Sequence, residues 1–180
     1  MTDPLQEAAS VLRAGGVVLH ATEGVWGLAC DPHQRRAVEK ILDIKGRAAA
    51  KGVILIGAGD EVFSAQLDQV SRAHADQVRA SWPGHHTWIL PDSCYPDYIT
   101  GGRGTIAARV PNHAQARGLC EEFGGALVST SANRSGEPPA SNAVMAQRTL
   151  GDEVDFFLPG EVGAEGRASI IHGLDGEILR

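Results

Sequence analysis

Residues 17–28 read Val17-Val18-Leu19-His20-Ala21-Thr22-Glu23-Gly24-Val25-Trp26-Gly27-Leu28, and this stretch sets the architecture. Residues 17–21 form a short β-branched and apolar run, the pattern of a buried strand. The run ends in a Thr-Glu pair followed by a glycine-bracketed aromatic residue. Ligands in open α/β sheets sit at such strand ends, and a threonine hydroxyl there both donates and accepts hydrogen bonds. Taken alone, a turn out of a strand with Trp26 packed into the core is the simpler account.

Helical signals flank the strand. Upstream, Asp3-Pro4 is an N-cap followed by proline at the first helical position, and Leu5, Ala8, Ala9 and Leu12 repeat at helical spacing up to Gly15-Gly16. Downstream, residues 34–45 place Ala37, Val38, Ile41 and Leu42 on one face, with Gly46 as C-cap. Further along, 53–56, 87–90, 105–110 and 126–130 read as strands. Residues 68–81 and 113–123 read as helices, the second closed by Gly124-Gly125. Ser141 is placed to cap a helix through Leu150, and 155–158, 169–172 and 178–179 look like short terminal strands. Early alternation with late strands predicts an α/β fold with a mixed sheet. No repeat, low-complexity tract or linker divides residues 1–180, so one domain is expected.

Hydrophobic residues make up 43% and charged residues 21% of the 180 residues, as in ordinary globular proteins. The first nine residues carry acids and no apolar run, which suits neither a signal peptide nor a membrane anchor. Cys30, Cys94 and Cys120 are far apart and form no CxxC pair, so neither a disulfide framework nor a zinc site is expected, and the cytoplasm is the natural compartment. Net charge is −6, which argues against broad non-specific nucleic-acid binding. Yet Arg35, Arg36, Lys40, Lys45, Arg47 and Lys51 crowd into one stretch with only Glu39 and Asp43 against them. Such an island suits a small anion such as a nucleotide. A solvated helix face with cations near its C-terminus explains it equally well.

Three stretches could do chemistry. The first is 22–28. The second is Lys45-Gly46-Arg47 with Lys51, where a helix stops and a loop can gather cations around one anion. Arginine contributes a planar fork for phosphate and lysine a mobile point charge. There is no GxxxxGK[ST] or GxGxxG. The third, Ser129-Thr130-Ser131-Ala132-Asn133-Arg134-Ser135-Gly136, carries more hydroxyls and amides than a strand-end turn needs and suits phosphate or ribose oxygens. A serine nucleophile lacks both a GxSxG context and a marked histidine base. His85 and His86 are adjacent on a strand and point to opposite faces, which disfavours a shared metal. Arg109, in an apolar strand, needs an anionic partner, either a structural acid or a substrate carboxylate. Ser169 and Arg180 lie in the final strands and could close a site, though polar side chains turned to solvent are the simpler account.

The ordered set is Thr22-Glu23-x-x-Trp26-Gly27-Leu28, Lys45-x-Arg47 with Lys51, Pro83-Gly84 with Thr87, Arg109-Val110-Pro111, and Ser129-Thr130-Ser131-Ala132-Asn133-x-Ser135-Gly136. In this order the chain resembles the YrdC/TsaC family of threonylcarbamoyl-AMP synthases over nearly its whole length. The resemblance implies a twisted mixed sheet curved around a deep cationic cavity, with helices packed outside. It implies a nucleotidyltransferase reaction in which L-threonine, bicarbonate and ATP, with Mg²⁺ on the phosphates, yield threonylcarbamoyl-adenylate and pyrophosphate. The product would pass to a threonylcarbamoyl-transferase complex that modifies adenosine 37 of tRNA; whether the protein touches tRNA itself is left open. Carried over by position, Lys45 and Arg47 are the catalytic pair. They bind ATP together with Lys51, Thr87, Ser131, Asn133, Ser141 and Arg180, while Thr22, Arg109 and Ser169 lie near threonine. Ala21, Gly24, Ala48 and His85 depart from the family pattern and bear on loop geometry.

Other activities are a carbamoyl-adenylate former, whose larger relatives carry zinc-finger and acylphosphatase-like segments absent here, a non-catalytic module for structured RNA, and a generic hydrolase. The acidic total and the 5% aromatic content weigh against the RNA module.

Overall fold

Asp3 caps the first helix, its carboxylate accepting from Leu5 N at 3.0 Å with Pro4 in the first turn. This helix, α1 (Pro4–Arg13), opens the computed structural model, which describes residues 3–48 and 51–179. The chain continues through β1 (Val18–Ala21), β2 (Trp26–Cys30), α2 (Arg35–Lys45) and β3 (Ile54–Ile56). A 3₁₀ turn, Asp60–Phe63, leads into α3 (Ser64–Leu67) and α4 (Arg72–Ala80), then β4 (His86–Pro91), α5 (Asp97–Thr100) and β5 (Thr105–Arg109). It ends with α6 (Ala114–Phe123), β6 (Leu127–Ser131), α7 (Ala143–Leu150), β7 (Phe156–Phe157) and β8 (Ile170–His172).

One eight-stranded sheet runs in the order β7-β1-β2-β6-β3-β5-β4-β8. It is mixed as expected: β7–β1, β3–β5 and β4–β8 are parallel, and the other pairings antiparallel. Strand alternation divides the side chains between its faces. Leu19, Leu28, Leu55, Ala108 and Val128 join the larger apolar core, to which α2 adds Ala37, Val38, Ile41 and Leu42. On the opposite face Val18, Ala29, Ile56 and Leu127 pack beneath Ala8 and Leu12 of α1 and Ala116 and Leu119 of α6. The rest of that face is open and becomes the cavity described below.

Three local readings change. Residues 26–30, to which the sequence pattern assigned no strand, form the interior strand β2, and Trp26 is fully buried as the simpler account had it, stacked on Phe157 at 5.0 Å between ring centroids. Helix α7 is capped by Asn142, whose Oδ1 accepts from Met145 N at 2.9 Å. Ser141 is exposed, one residue before the cap, so the amide side chain and not the hydroxyl satisfies the free N–H groups. The expected strand at 178–179 is reduced to a single bridge, Ile178 to His172. Among the described residues no helix is long and apolar enough to cross a membrane.

Candidate active site

The basic stretch around α2 divides. Arg35 pairs with exposed Glu39, and Lys40 with Asp155, both at 2.8 Å. Lys45 turns inward. Helix α2 stops at Gly46 in the left-handed conformation, which leaves Lys45 on the buried side. Its ammonium donates to Ser131 O and, at 3.0 Å, to Asn133 O. The Lys45, Ser131 and Asn133 of the sequence motifs are therefore one hydrogen-bonded unit. Burial, reinforced by neighbouring Arg47, lowers the Lys45 pKa from 10.5 to about 8. Arg47 Nη2 donates to Gly52 O at 3.0 Å, holding the loop between α2 and β3.

A cavity of about 470 Å³ lies against the open sheet face. Ile54 and Ile56 of β3, Thr105, Ala107 and Arg109 of β5, and Ser129 and Ser131 of β6 line it. These are alternate residues of adjacent strands. Arg47, Lys51, Arg103 and Arg109 contribute four cations, and no carboxylate belongs to the lining among the described residues. Thr105 and Arg109 are four residues apart along β5, so they mark ends separated by about 13 Å at the usual strand rise. Arg47, Lys51 and Arg103 belong to the Thr105 end, where Arg103 Nη2 would lie 3.1 Å from a Cβ on Gly52.

At the other end, Arg109 has its structural acid. Its guanidinium forms an ion pair with Glu23, and both side chains are more than nine-tenths buried. Arg109 Nε donates to Gly84 O at 3.2 Å, and Nη2 lies 3.2 Å from His85 Nδ1. Glu23 Oε1 accepts from Asn112 N at 2.6 Å. Of the paired histidines, His86 turns away from its neighbour, with Nδ1 2.9 Å from His172 Nε2. Thr22 lines the cavity and spends its hydroxyl proton on Val25 O at 2.7 Å. Ser169 also lines the cavity, with its oxygen 2.8 Å from that of fully buried Thr87. Thr87 thus sits with the Arg109 group, not with Lys45 and Arg47.

The wall carrying Ser169 is zipped to the first turn of the sheet. Gly163 N donates to Thr22 O at 2.9 Å, and Glu165 N to Glu23 O at 3.1 Å. A Cβ on Gly24 would stand 1.9 Å from Arg167 O, so only glycine admits this crossing. The departure at Gly24 has its physical reason here.

Of the residues expected at the site, Thr22, Arg47, Lys51, Arg109, Ser131 and Ser169 line the cavity. Lys45 and Asn133 lie behind Ser131. Ser141 is exposed and forms no part of the lining, its Oγ lying 3.7 Å from Met145 Sδ. Arg180 lies outside the described residues. Sequence reasoning missed Glu23 as the partner of Arg109, and it missed Arg103. The signal for Arg103 was its setting between Gly102 and Gly104, both at positive φ, on a bare turn.

The family profile of the Sua5, YciO and YrdC proteins, described as "Telomere recombination", matches residues 10–180. A threonylcarbamoyl-AMP synthase of Halorhodospira halophila is 44% identical over 178 residues, covering 98% of this chain and 93% of its own length. One from Nitrosococcus oceani is 42% identical, with 96% and 95% covered. Among solved structures, P. abyssi Sua5 complexed with L-threonine superposes with a TM-score of 0.91 at 28% identity; all of this chain matches 55% of that one. E. coli YciO shares the fold, with a TM-score of 0.86 at 23% identity over 98% of this chain and 87% of its own. The order of motifs, the mixed sheet and these likenesses agree: the chain belongs to the Sua5/YciO/YrdC family.

Proposed function

We infer that the protein is a threonylcarbamoyl-AMP synthase, joining L-threonine, bicarbonate and ATP into threonylcarbamoyl-adenylate with release of pyrophosphate. The observation that carries this reading is one cavity whose lining gathers three cations, Arg47, Lys51 and Arg103, at one end and an arginine paired with Glu23 at the other. Triphosphate suits the first end. Arg47, Lys51 and Arg103 offset its charge, and the leaving pyrophosphate gains charge as the bond to the α-phosphorus breaks. Lys45 acts from behind by fixing the 131–133 turn. An amino acid suits the second end, where Arg109 keeps donors beyond those spent on Glu23, Gly84 and His85, and Thr22 and Ser169 offer hydroxyls. The amine and bicarbonate condense to a carbamate with loss of water, and a carbamate oxygen attacks the α-phosphorus between the two ends, expelling pyrophosphate.

Mg²⁺ would enter with ATP on its phosphate oxygens. Among the described residues no group of three His, Cys, Asp or Glu side chains is placed to hold a metal, so the protein's own share of charge neutralisation is its cations. The adenylate is a reactive mixed anhydride, and its consumer would be a threonylcarbamoyl transferase acting on adenosine 37 of tRNA in the cytoplasm.

The test is pyrophosphate release from ATP by the purified protein, with threonine and bicarbonate each supplied or withheld. Release that needs both is the expected result. Phosphate release without threonine would mean a hydrolase instead.

The site also predicts a pH dependence. Lys45 carries its charge below about 8 and loses it above. ATP affinity, measured as Kd from pH 6.5 to 9.5, should weaken as pH rises through that value. Stability moves the other way. The folded pKa lies below the unfolded one, so the unfolded chain binds more protons between about 8 and 10.5, and the burial penalty, complete below that window, is relieved across it. Lys45→Arg should remove the fall in affinity. A fall that persists in that variant would assign the titration to another group.

A further inference from the structure

His20 is fully buried on β1, yet it reaches the cavity through one neighbour. Its Nδ1 lies 3.1 Å from Ala21 O and its Nε2 3.2 Å from Ser129 Oγ. A carbonyl only accepts, so Nδ1 carries the proton. Burial is the main reason the His20 pKa falls to about 4, so the ring is neutral at pH 7 and Nε2 is a bare lone pair. The Ser129 hydroxyl must then donate to Nε2. Its oxygen, which lines the cavity, is left with acceptor capacity alone.

The backbone is arranged to allow this contact. His20 pairs with Gly27, and Gly27 with Ser131, across β1, β2 and β6. A Cβ on Gly27 would stand 3.1 Å from His20 Nε2 and 3.3 Å from Ser129 Oγ. Glycine in the middle of β2 leaves a window through which His20 reaches diagonally to Ser129.

Register fixes where this acceptor lies. Leu55 pairs with Val128 and Ile54 with Ala107, so Ser129 shares a row with Ile54 and Ala107. That row falls midway between Thr105 and Arg109 on β5. An amino acid whose carboxylate lies toward Arg109, and whose carbamate oxygen attacks phosphorus toward Arg47, has its nitrogen at this level.

We propose that His20 and Ser129 form a fixed hydrogen-bond acceptor at mid-cavity, in which Ser129 Oγ receives the N–H of the amino-acid substrate and His20 is the positioning residue that sets the polarity of the hydroxyl. The inference rests on the synthase reading. Surrounded by four cations, the substrate nitrogen needs such an acceptor to be drawn into line. The pair accepts a hydrogen bond rather than a proton, because a ring kept neutral by burial holds a second proton poorly. His113, Glu23 and Arg109 exert only lesser electrostatic influences on it.

Two measurements test this. In protein labelled with ¹⁵N-histidine, His20 should show the neutral Nδ1–H tautomer throughout pH 5.5–8. An Nε2–H tautomer, or a titration within that range, would overturn the proposal. In steady-state kinetics, Ser129→Ala should raise the KM for threonine about tenfold, the scale of one lost hydrogen bond to a charged or polarised donor, and leave the KM for ATP within about twofold. Circular dichroism verifies folding of the variant. An unchanged threonine KM, or a rise confined to ATP, would refute the role. Should the unaltered protein neither bind threonine nor release pyrophosphate, the synthase reading fails and the assigned substrate with it, while the tautomer still reports on the pair itself.

Discussion

Arg47→Ala lowers the turnover number for pyrophosphate release by about a hundredfold to a thousandfold, the usual cost of removing one donor aimed at charge that develops in the transition state. Arg47 lines the cavity and already gives one donor to Gly52 O. That bond aims the rest of the guanidinium, so the fork is positioned before ATP arrives. Lysine at this position restores little, because an ammonium is a compact point charge without the planar fork that grips two phosphate oxygens side by side. The loss belongs in turnover, with the threonine KM nearly unchanged. Losing the Gly52 contact costs only about 1 kcal/mol of stability, so thermal unfolding separates the two effects. Turnover within tenfold of the unaltered protein would remove Arg47 from the reaction.

Glu23→Ala costs about 3–5 kcal/mol of folding stability, the range for stranding one member of a buried ion pair. The lower end applies, because the cavity wets one side of Arg109. The substitution also leaves Asn112 N without its acceptor. An anion binding to the folded state should restore part of the loss by mass action, so phosphate or threonine raises the denaturant midpoint of this variant more than that of the unaltered protein. Combining Glu23→Met with Arg109→Met should cost clearly less than the two single changes added together, since neither charge is then left alone. The double variant would nonetheless lose affinity for threonine. A loss below about 1 kcal/mol in Glu23→Ala would show that solvent already screens the pair.

The sequence was most informative where the causes were local. Asp3-Pro4 and Gly46 announced the ends of α1 and α2 because caps act within a turn. β2 was not legible, because Gly27 lowers strand propensity for a reason that lies on β1 and β6. The site shows the same division. Motif order singled out Lys45, Arg47, Ser131 and Asn133 as candidates, but the bond from Lys45 to Ser131 spans 86 residues, and nothing in either segment states it. The pairing of Thr87 with Ser169 depends on the parallel register of β4 and β8, and that of Glu23 with Arg109 on a turn meeting a distant strand. Ser141 failed for a smaller reason: two adjacent residues could cap α7, and the amide won.

The strap that zips Thr22 and Glu23 to residues 163–167 has a consequence for the protein's birth on the ribosome. Thr22 emerges about 150 residues before Ser169, an interval of about 7–30 s at ordinary elongation rates. In its last part, once Arg103 has been made, the cavity's cations exist while one wall of their chamber has yet to be synthesised. A partly made chain is therefore spared the waste of turning over ATP, and the timing of first catalysis is written into the order of the gene.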